Sequence, residues 1–598
     1  MPTDPAGMVG DAPRFGGDSW RVAGLLLAVF ALHIPSLWCP LFLDDYVYLY
    51  DVRQVSWPWV GALFTSPALT HTASSMWFAP AGVLPFYRPL GVLLFAFDHA
   101  VWGLAPFGYH LTNLLLHLLA TWLTYRLARR LFNTDRPALL TAAVFAVHPV
   151  HGEALYWVSG RFDLLVCCMV LLTILSYDRW MTTPGRRGLR GVITVLLFLS
   201  ALACKETALT LPGVMLLLEG TRWRTGGRPA RTRAVVRLTC LFACAAAYLA
   251  GRMVLFGGLG SMPPPYGLDT SSLLVAVRQL TTNITQYLLD FIFCVQIDAT
   301  ACGERLLAHP GWTLGLLALS LFVLGLTARI AWRDPVFRIG VIWLALFTAP
   351  SLMAMAGERN GYLAGAGWAL MLVAVYRSLS DRWRARPHMK RRLRAASITL
   401  LVFWSAITLV EQGVAWCLTR AGEQSLRQIQ ALAPAPPAGS HFYVVNMSPL
   451  NSVGFRQAIR LRYGREDLEG WGLTISPSLA GDAPDDVCVQ DSNTLRIHRP
   501  AQAAFFEPFC DRFHRYGAPA STLPAAAERA GMTLMDPPAS YEDLHTLTLR
   551  MPLDVNDPRL HVFQWDNRDV RPAWLLPDLV VRAGMRRRPR VPCREGCD

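Results

Sequence analysis

The sequence predicts an all-α polytopic membrane protein of about eleven transmembrane helices with a C-terminal soluble α/β domain. Three observations predict it. Of 598 residues, 53% are hydrophobic and only 16% charged, against roughly a quarter charged in an ordinary soluble domain. The apolar residues gather in long runs between about 21 and 418, more apolar surface than soluble cores of limited size can hide. Short Arg-rich segments flank those runs and dominate a net charge of +14, Lys occurring only at Lys205 and Lys390.

Residues 1–20 form an N-terminal tail with Asp4, Asp11 and Asp18 in place of the basic stretch of a signal peptide, so the run Val22 to Leu37 reads as a retained span. Further spans are expected near 108–127, 137–150, 162–178, 190–204, 207–219, 237–256, 311–330, 339–356, 362–377 and 396–417, several short enough to imply tilt or a re-entrant turn. The transmembrane domain thus covers 21–418. Segments 126–136, 178–190, 221–237, 329–338 and 377–394 hold twenty-five Arg or Lys against four acids, which places all five in the cytoplasm and the alternate loops outside. The apolar stretch Arg88 to Leu104 would reverse that order if it crossed, so it reads as a juxtamembrane helix within a long first outer loop, 41–107. The stretch 271–297 reads as another interfacial or re-entrant element. Trp38, Trp57, Trp77 and Trp102 fit an interfacial belt.

From about 419 the pattern changes. Pro434, Pro436, Pro437 and Gly439 mark a linker over 419–440, and HFYVVNM and LRIHRP read as strands of an extracytoplasmic domain over 441–598. Its Cys488, Cys510, Cys593 and Cys597 allow two bridges in an oxidising compartment, of unassigned pairing. The other cysteines lie mostly in apolar runs and form no zinc pattern.

Chemistry-bearing residues fall on the loops assigned to the outer face. Asp44 and Asp45 follow the first span, where two adjacent carboxylates are costly unless water, a cation or a catalytic role compensates. One could deprotonate an attacking hydroxyl while the other orients it; the competing reading is a solvated helix terminus. Arg88, Arg161, Lys205 and Arg359 are cations at the apolar boundary, suited to the oxygens of a lipid phosphate and to charge on a leaving group. Each also has a plain alternative: Lys205 pairing with Glu206, Arg359 with Glu358, and Arg88 and Arg161 snorkelling, with Asp163 orienting Arg161. His148, His151 and Glu153, together with Glu206 and Glu358, offer sugar or phosphate contacts. They lack HExxH spacing, so a divalent metal is possible but unsupported and no cofactor is expected. No P-loop or GxGxxG stands at a strand-to-helix turn, and Arg clusters flanking apolar spans suit anionic lipid, not nucleic acid.

These residues sit in ordered blocks: Leu41-Phe42-Leu43-Asp44-Asp45-Tyr46, Phe86-Tyr87-Arg88-Pro89-Leu90, Pro106 to Leu114, His148-Pro149-Val150-His151-Gly152-Glu153-Ala154, Ser159 to Leu165 and Lys205-Glu206-Thr207. Over roughly 20–380 the pattern resembles the GT-C glycosyltransferases that use polyprenyl-phosphate sugars. More narrowly it resembles the membrane half of the TMTC-type O-mannosyltransferases and their bacterial relatives. The block Glu358-Arg359-Asn360-Gly361-Tyr362-Leu363-Ala364-Gly365 keeps Glu-Arg but lacks the aromatic after Arg and the Pro-Ser of those relatives' ERYLYLPS-like block, and their tetratricopeptide tail is absent. The resemblance implies a GT-C-like fold and a hexosyltransferase, mannosyltransferase-like, moving sugar from a polyprenyl-phosphate donor to an acceptor glycan, lipid or protein at the outer face. Inversion would follow from direct attack, with Asp44 or Asp45 as base. Arg- and Ala-rich composition points to a bacterium with GC-rich DNA, hence an undecaprenyl carrier and the inner membrane. A lipid-linked glycan flippase would instead place charges at the midplane, and a non-catalytic envelope scaffold would tolerate neutralising both aspartates.

Overall fold

The computed structural model describes residues 19–66, 74–79, 86–183, 185–223, 228–258, 267–294, 306, 308–354, 356–475, 485–499, 505, 518–541, 544–566 and 584–587. The first apolar run forms Ser19–His33 (α1), prolonged by a 3-10 turn Ile34–Trp38 with Pro35 at its start. The loop that follows carries three helices, Asp45–Asp51 (α2), Trp57–Thr65 (α3) and Pro89–Trp102 (α4); at 14 residues α4 is short of a crossing. Next come Pro106–Phe132 (α5), Asp135–Val147 (α6), Gly152–Tyr156 (α7), Arg161–Thr182 (α8), Arg187–Cys204 (α9) and Leu211–Trp223 (α10). Arg228–Phe256 (α11), Leu273–Phe293 (α12), Pro310–Ala331 (α13), Pro335–Leu352 (α14), Tyr362–Arg382 (α15) and Pro387–Leu432 (α16) complete the membrane region.

Among the described residues eight helices are long and apolar enough to cross a membrane, or nine if α6 and Pro149–Tyr156, bent by 60°, count as one span. The sequence expectation of about eleven exceeds this for physical reasons. α5 has the length, 27 residues, but buries Tyr109, His110, Asn113, His117, Thr121 and Thr124 against its neighbours. α6 is broken at His148-Pro149, and α10 has 13 residues because the chain leaves α9 through a 3-10 turn, Glu206–Thr210. The helices pack closely where side chains are small: a Cβ on Gly340 would come 2.7 Å from the Gly367 carbonyl, so α14 and α15 approach backbone to backbone, and Trp343 Nε1 donates to Leu363 O at 2.9 Å. The basic segments gather on one face. Arg130 pairs with Asp178 at 3.6 Å and Arg377 with Asp334 at 2.6 Å, joining four of the five Arg-rich loops in two contacts.

Among the described residues the C-terminal region holds two four-stranded sheets. In the first, Glu469–Gly472 (β2), His441–Val445 (β1), Leu560–Asp566 (β7) and Gly584–Arg587 (β8) lie side by side, β1 parallel to both β2 and β7. The second is antiparallel, Asp486–Val489 (β3), Thr494–His498 (β4), Thr546–Arg550 (β6) and Thr533–Leu534 (β5). Helices Phe455–Tyr463 (α17) and Leu523–Arg529 (α18) cover them. The linker expected at 419–440 is corrected at its start: α16 continues unbroken for 46 residues to Leu432, and only the proline-rich stretch beyond is irregular. Cys488 is disulfide-bonded; Cys510, Cys593 and Cys597 lie outside the described residues. The N-terminal tail also lies almost wholly outside them.

Two hydrophobic cores result. One lies within the helix bundle, where Cys167, Cys168 and Cys204 are buried and unbridged. The other is shared: Tyr46, Leu49, Met76, Trp77, Phe95 and Phe162 pack with Phe442, Val444, Phe455 and Leu473. Trp77 therefore leaves the interfacial belt expected of it; it is fully buried and donates through Nε1 to Leu473 O at 2.8 Å. Trp38 and Trp57 stay exposed.

Candidate active site

The two adjacent acids are held differently. Leu43, just before them, has φ 52°, a left-handed conformation that a branched side chain adopts only under constraint. The constraint comes from the C-terminal region: Leu43 N–H donates to Leu450 O at 3.0 Å, and Gly454, itself at φ 75°, lies so near that a Cβ there would stand 2.7 Å from Leu43 O. This turn starts α2 with Asp45 inward. Its Oδ1 accepts from Ser159 N at 2.9 Å and Ser159 Oγ at 2.6 Å, and its Oδ2 from Phe42 N at 3.2 Å. Asp44 is partly buried as a residue, and its Oδ1 is a buried oxygen with no hydrogen-bond partner. Burial pushes the Asp44 carboxyl up from its ordinary value, with Ser159, Arg359 and Arg88 pulling the other way. Burial and then the neighbouring Asp44 charge push Asp45 to about 7.

Three cations form an arc around this loop, each held by an acid from another element. Arg88 Nη2 donates to Glu206 Oε1 at 3.0 Å, and its guanidinium lies 5.2 Å from the Phe162 ring; its Nε is buried with no hydrogen-bond partner. Lys205 Nζ donates to Asp163 Oδ1 at 2.5 Å and Asn360 Oδ1 at 2.9 Å. Arg359 forms an ion pair with Glu153, whose Oε2 also accepts from Arg359 N at 2.9 Å, and it stacks 4.3 Å from the Trp157 ring. The pairs considered in the sequence are corrected throughout: Lys205 meets Asp163 and not Glu206, Arg359 meets Glu153 and not Glu358, and Asp163 orients Lys205 and not Arg161. The cause is where helices end. Lys205 leaves α9 in an extended conformation, φ −163°, and the turn Glu358–Gly361 begins α15, so neighbours in sequence diverge while residues from separate helix ends converge. Burial pushes Glu206 up, but Arg88 and Lys205 outweigh it and hold the carboxyl at about 2.

The remaining expected residues lie elsewhere. Arg161 is fully buried, with Nη1 2.8 Å from Asp98 and with Nε and Nη2 donating to Val158 O and Tyr109 O at 3.2 Å each, so snorkelling is overturned. His148 ties Phe291 O on α12 through Nε2 at 3.2 Å and accepts from Val150 N at Nδ1, so one ring nitrogen holds α12 and the other its own loop. His151 is buried between Phe145 and Tyr362, ring centroids 4.6 and 4.4 Å away. Glu358 is buried, with Glu153, Glu411 and Asp290 as its neighbouring acids. Among the described residues no group of three His, Cys, Asp or Glu is arranged to hold a metal ion.

Sequence reasoning gave no role to Ser159, Trp157, Asn360 or Asp98. Ser159 and Asn360 stood inside ordered blocks of the sequence but with no role assigned; the partners of Trp157 and Asn360 lie about 200 and 155 residues away. The opposite side of α2 borders a separate, mostly apolar cavity of about 440 Å³ lined by Trp38, Tyr46, Leu49, Phe107 and Arg462.

Comparison with known proteins yields partial relatives. No family model matches the chain. It is related to the protein O-mannosyl-transferase Tmtc1 of Drosophila melanogaster, 35% identical over 192 residues, 32% of this chain and 21% of the relative. Tmtc2 of the same organism is 36% identical over 187 residues, 30% of this chain and 20% of that one. The chain thus spans about a fifth of the length of these curated relatives. Among solved structures, the apo form of ArnT from Cupriavidus metallidurans aligns over 78% of this chain and 87% of its own, with a TM-score of 0.43 at 13% identity.

Proposed function

We propose that the chain is a membrane glycosyltransferase, GT-C-like, that moves a sugar from a polyprenyl-phosphate carrier to an acceptor at the membrane face bearing Asp44, with inversion at the anomeric carbon. The observation that carries the reading is the unequal pair: Asp45 is committed to Ser159 and Phe42, while Asp44 keeps an unpartnered carboxylate oxygen near Arg88 and Arg359. In the proposed step an acceptor hydroxyl oxygen bonds to the sugar C1 as its proton passes to Asp44, and the bond from C1 to the phosphate oxygen breaks with its electron pair on the phosphate. Arg88, through its unpartnered Nε, and Lys205 and Arg359 would stabilise that leaving anion.

The relatives named O-mannosyl-transferases favour a protein acceptor, and a disulfide at Cys488 favours an extracytoplasmic C-terminal domain, which with the Arg-rich composition gives a bacterial inner membrane location. The domain limits proposed are 21–418 for the membrane unit, with loop 41–107, and 441–598 for the tail. A flippase has less support, because the charges that form the site, Asp44, Arg88, Lys205 and Arg359, lie at helix ends and loops. The test is to incubate the purified protein in lipid discs with polyprenyl-phosphate sugars and acceptors. Acceptor-dependent release of polyprenyl phosphate with inverted product is expected; release in no donor and acceptor combination, or a retained anomer, overturns the reading.

A further inference from the structure

We propose a second binding site, for an anionic phospholipid, on the membrane face opposite Asp44. α8 begins at Arg161 beneath the candidate active site and ends at Thr182; its 22 residues rise about 33 Å at 1.5 Å each, about one hydrocarbon thickness. At that far end α8, α9, α10 and α11 enclose a cavity of about 140 Å³ lined by Arg187, Glu219, Trp223, Arg231, Arg233 and Arg237.

The floor of the cavity is built. Glu219 is 3% exposed, and its Oε1 accepts from Tyr177 Oη and from Arg237 Nε, both at 2.7 Å. Arg237 therefore balances Glu219 and is locked by it. Arg187, Arg231 and Arg233 remain as exposed cations, with no further acid among the described residues of the lining. Arg231 is oriented by its own backbone neighbour, Nε donating to Trp223 O at 3.1 Å. Three like charges around one small cavity repel one another unless an anion sits among them, and guanidinium groups suit phosphate oxygens.

A lipid, and not a free anion, is the occupant the surroundings select. Leu189, Val235 and Val236, beside these arginines on α9 and α11, are half exposed or more. Trp223, 41% exposed, stands where interfacial aromatics stand. The cavity thus offers phosphate donors at the edge of an apolar surface that acyl chains would cover, the arrangement expected of a basic pocket between helices that takes a lipid headgroup. Its distance from Asp44 makes it independent of the catalytic reading.

The experiment is native mass spectrometry of the full chain released from micelles containing phosphatidylglycerol or phosphatidylcholine, with inorganic phosphate as a third probe. Wild-type protein should retain phosphatidylglycerol over phosphatidylcholine, and the double variant R231A/R233A should bind it roughly 25-fold more weakly, about fivefold per arginine. Equal retention of the two lipids, or an unchanged double variant, overturns the proposal. Displacement of the lipid by millimolar phosphate also overturns it, because the site would then take small anions. Should the double variant not fold, the lipid preference and phosphate competition of wild-type protein, with R187A as second variant, decide the matter.

Discussion

Arg161 and Arg359 stand in the same part of the molecule and do opposite things. Arg161 is wholly enclosed, with Asp98, Val158 O, Tyr109 O and the Phe95 ring 4.1 Å away occupying its guanidinium. Arg359 is ion-paired and stacked as well, yet its side chain remains 29% exposed and Glu153 18%. A buried pair resists separation, because either partner left alone carries an uncompensated charge. A partly exposed pair can share its partner with an incoming phosphate at lower cost than a wholly buried one. Burial of the partner, more than the presence of a cation, distinguishes a structural arginine from one available to a ligand.

The comparison can be broken or sharpened by substitution. The largest expected effect is on turnover. Asp44→Asn preserves size but removes basicity and should reduce the transfer rate by about 10² to 10⁴-fold with donor binding little changed; wild-type turnover in this variant would remove Asp44 from the step. Arg161→Ala should cost about 3 to 5 kcal/mol of stability by stranding Asp98, seen as loss of folded protein in a thermal-melt or detergent-extraction assay. Arg359→Ala should leave the fold intact and weaken donor use by about ten to a hundredfold, read as kcat/KM for the polyprenyl-phosphate sugar, whereas Lys205→Ala also strands the buried Asp163 and should lower stability as Arg161→Ala does. If Arg161→Ala and Arg359→Ala gave the same melting behaviour, the distinction drawn between them would fail.

Smaller effects concern how the loop is set. Gly454→Ala puts a Cβ 2.7 Å from Leu43 O and strains a φ of 75°, so it should shift the turn that presents Asp44 and lower kcat several-fold while the helix bundle melts as before. The pH profile gives the finest test. With Asp45 raised to about 7 and Asp44 also raised, a base on this pair is protonated in acid, so turnover should climb as pH rises toward neutrality. Asp45→Asn removes a neighbouring negative charge, lowers the Asp44 pKa and should move that limb to more acid pH; an unmoved limb would place the titration elsewhere.

The helix bundle, the α/β tail and most of the charged loop were legible because apolar runs and Arg clusters are local signals. α10 and the broken α6 were less so, since a window of apolar residues registers hydrophobicity and misses a chain that turns at Lys205 or His148-Pro149. Ion-pair partners were not legible at all. Asp163 and Lys205, or Glu153 and Arg359, meet because separate helices end together, and adjacency in sequence carries no information about that.

By itself the sequence determined that the chain is apolar enough to cross a membrane, which segments are basic, and that a pair of acids follows the first span. These are properties of composition and spacing, settled before any contact forms. The tertiary structure decided which acid has both carboxylate oxygens bonded and which keeps an unpartnered one, because that depends on Ser159 approaching Asp45 from 114 residues away. It also decided that the tail shares a core with the acidic loop and holds Leu43 in its left-handed turn through Leu450. A hydrogen bond or an ion pair exists only where two groups arrive within about 3 Å, and packing of distant elements sets that distance.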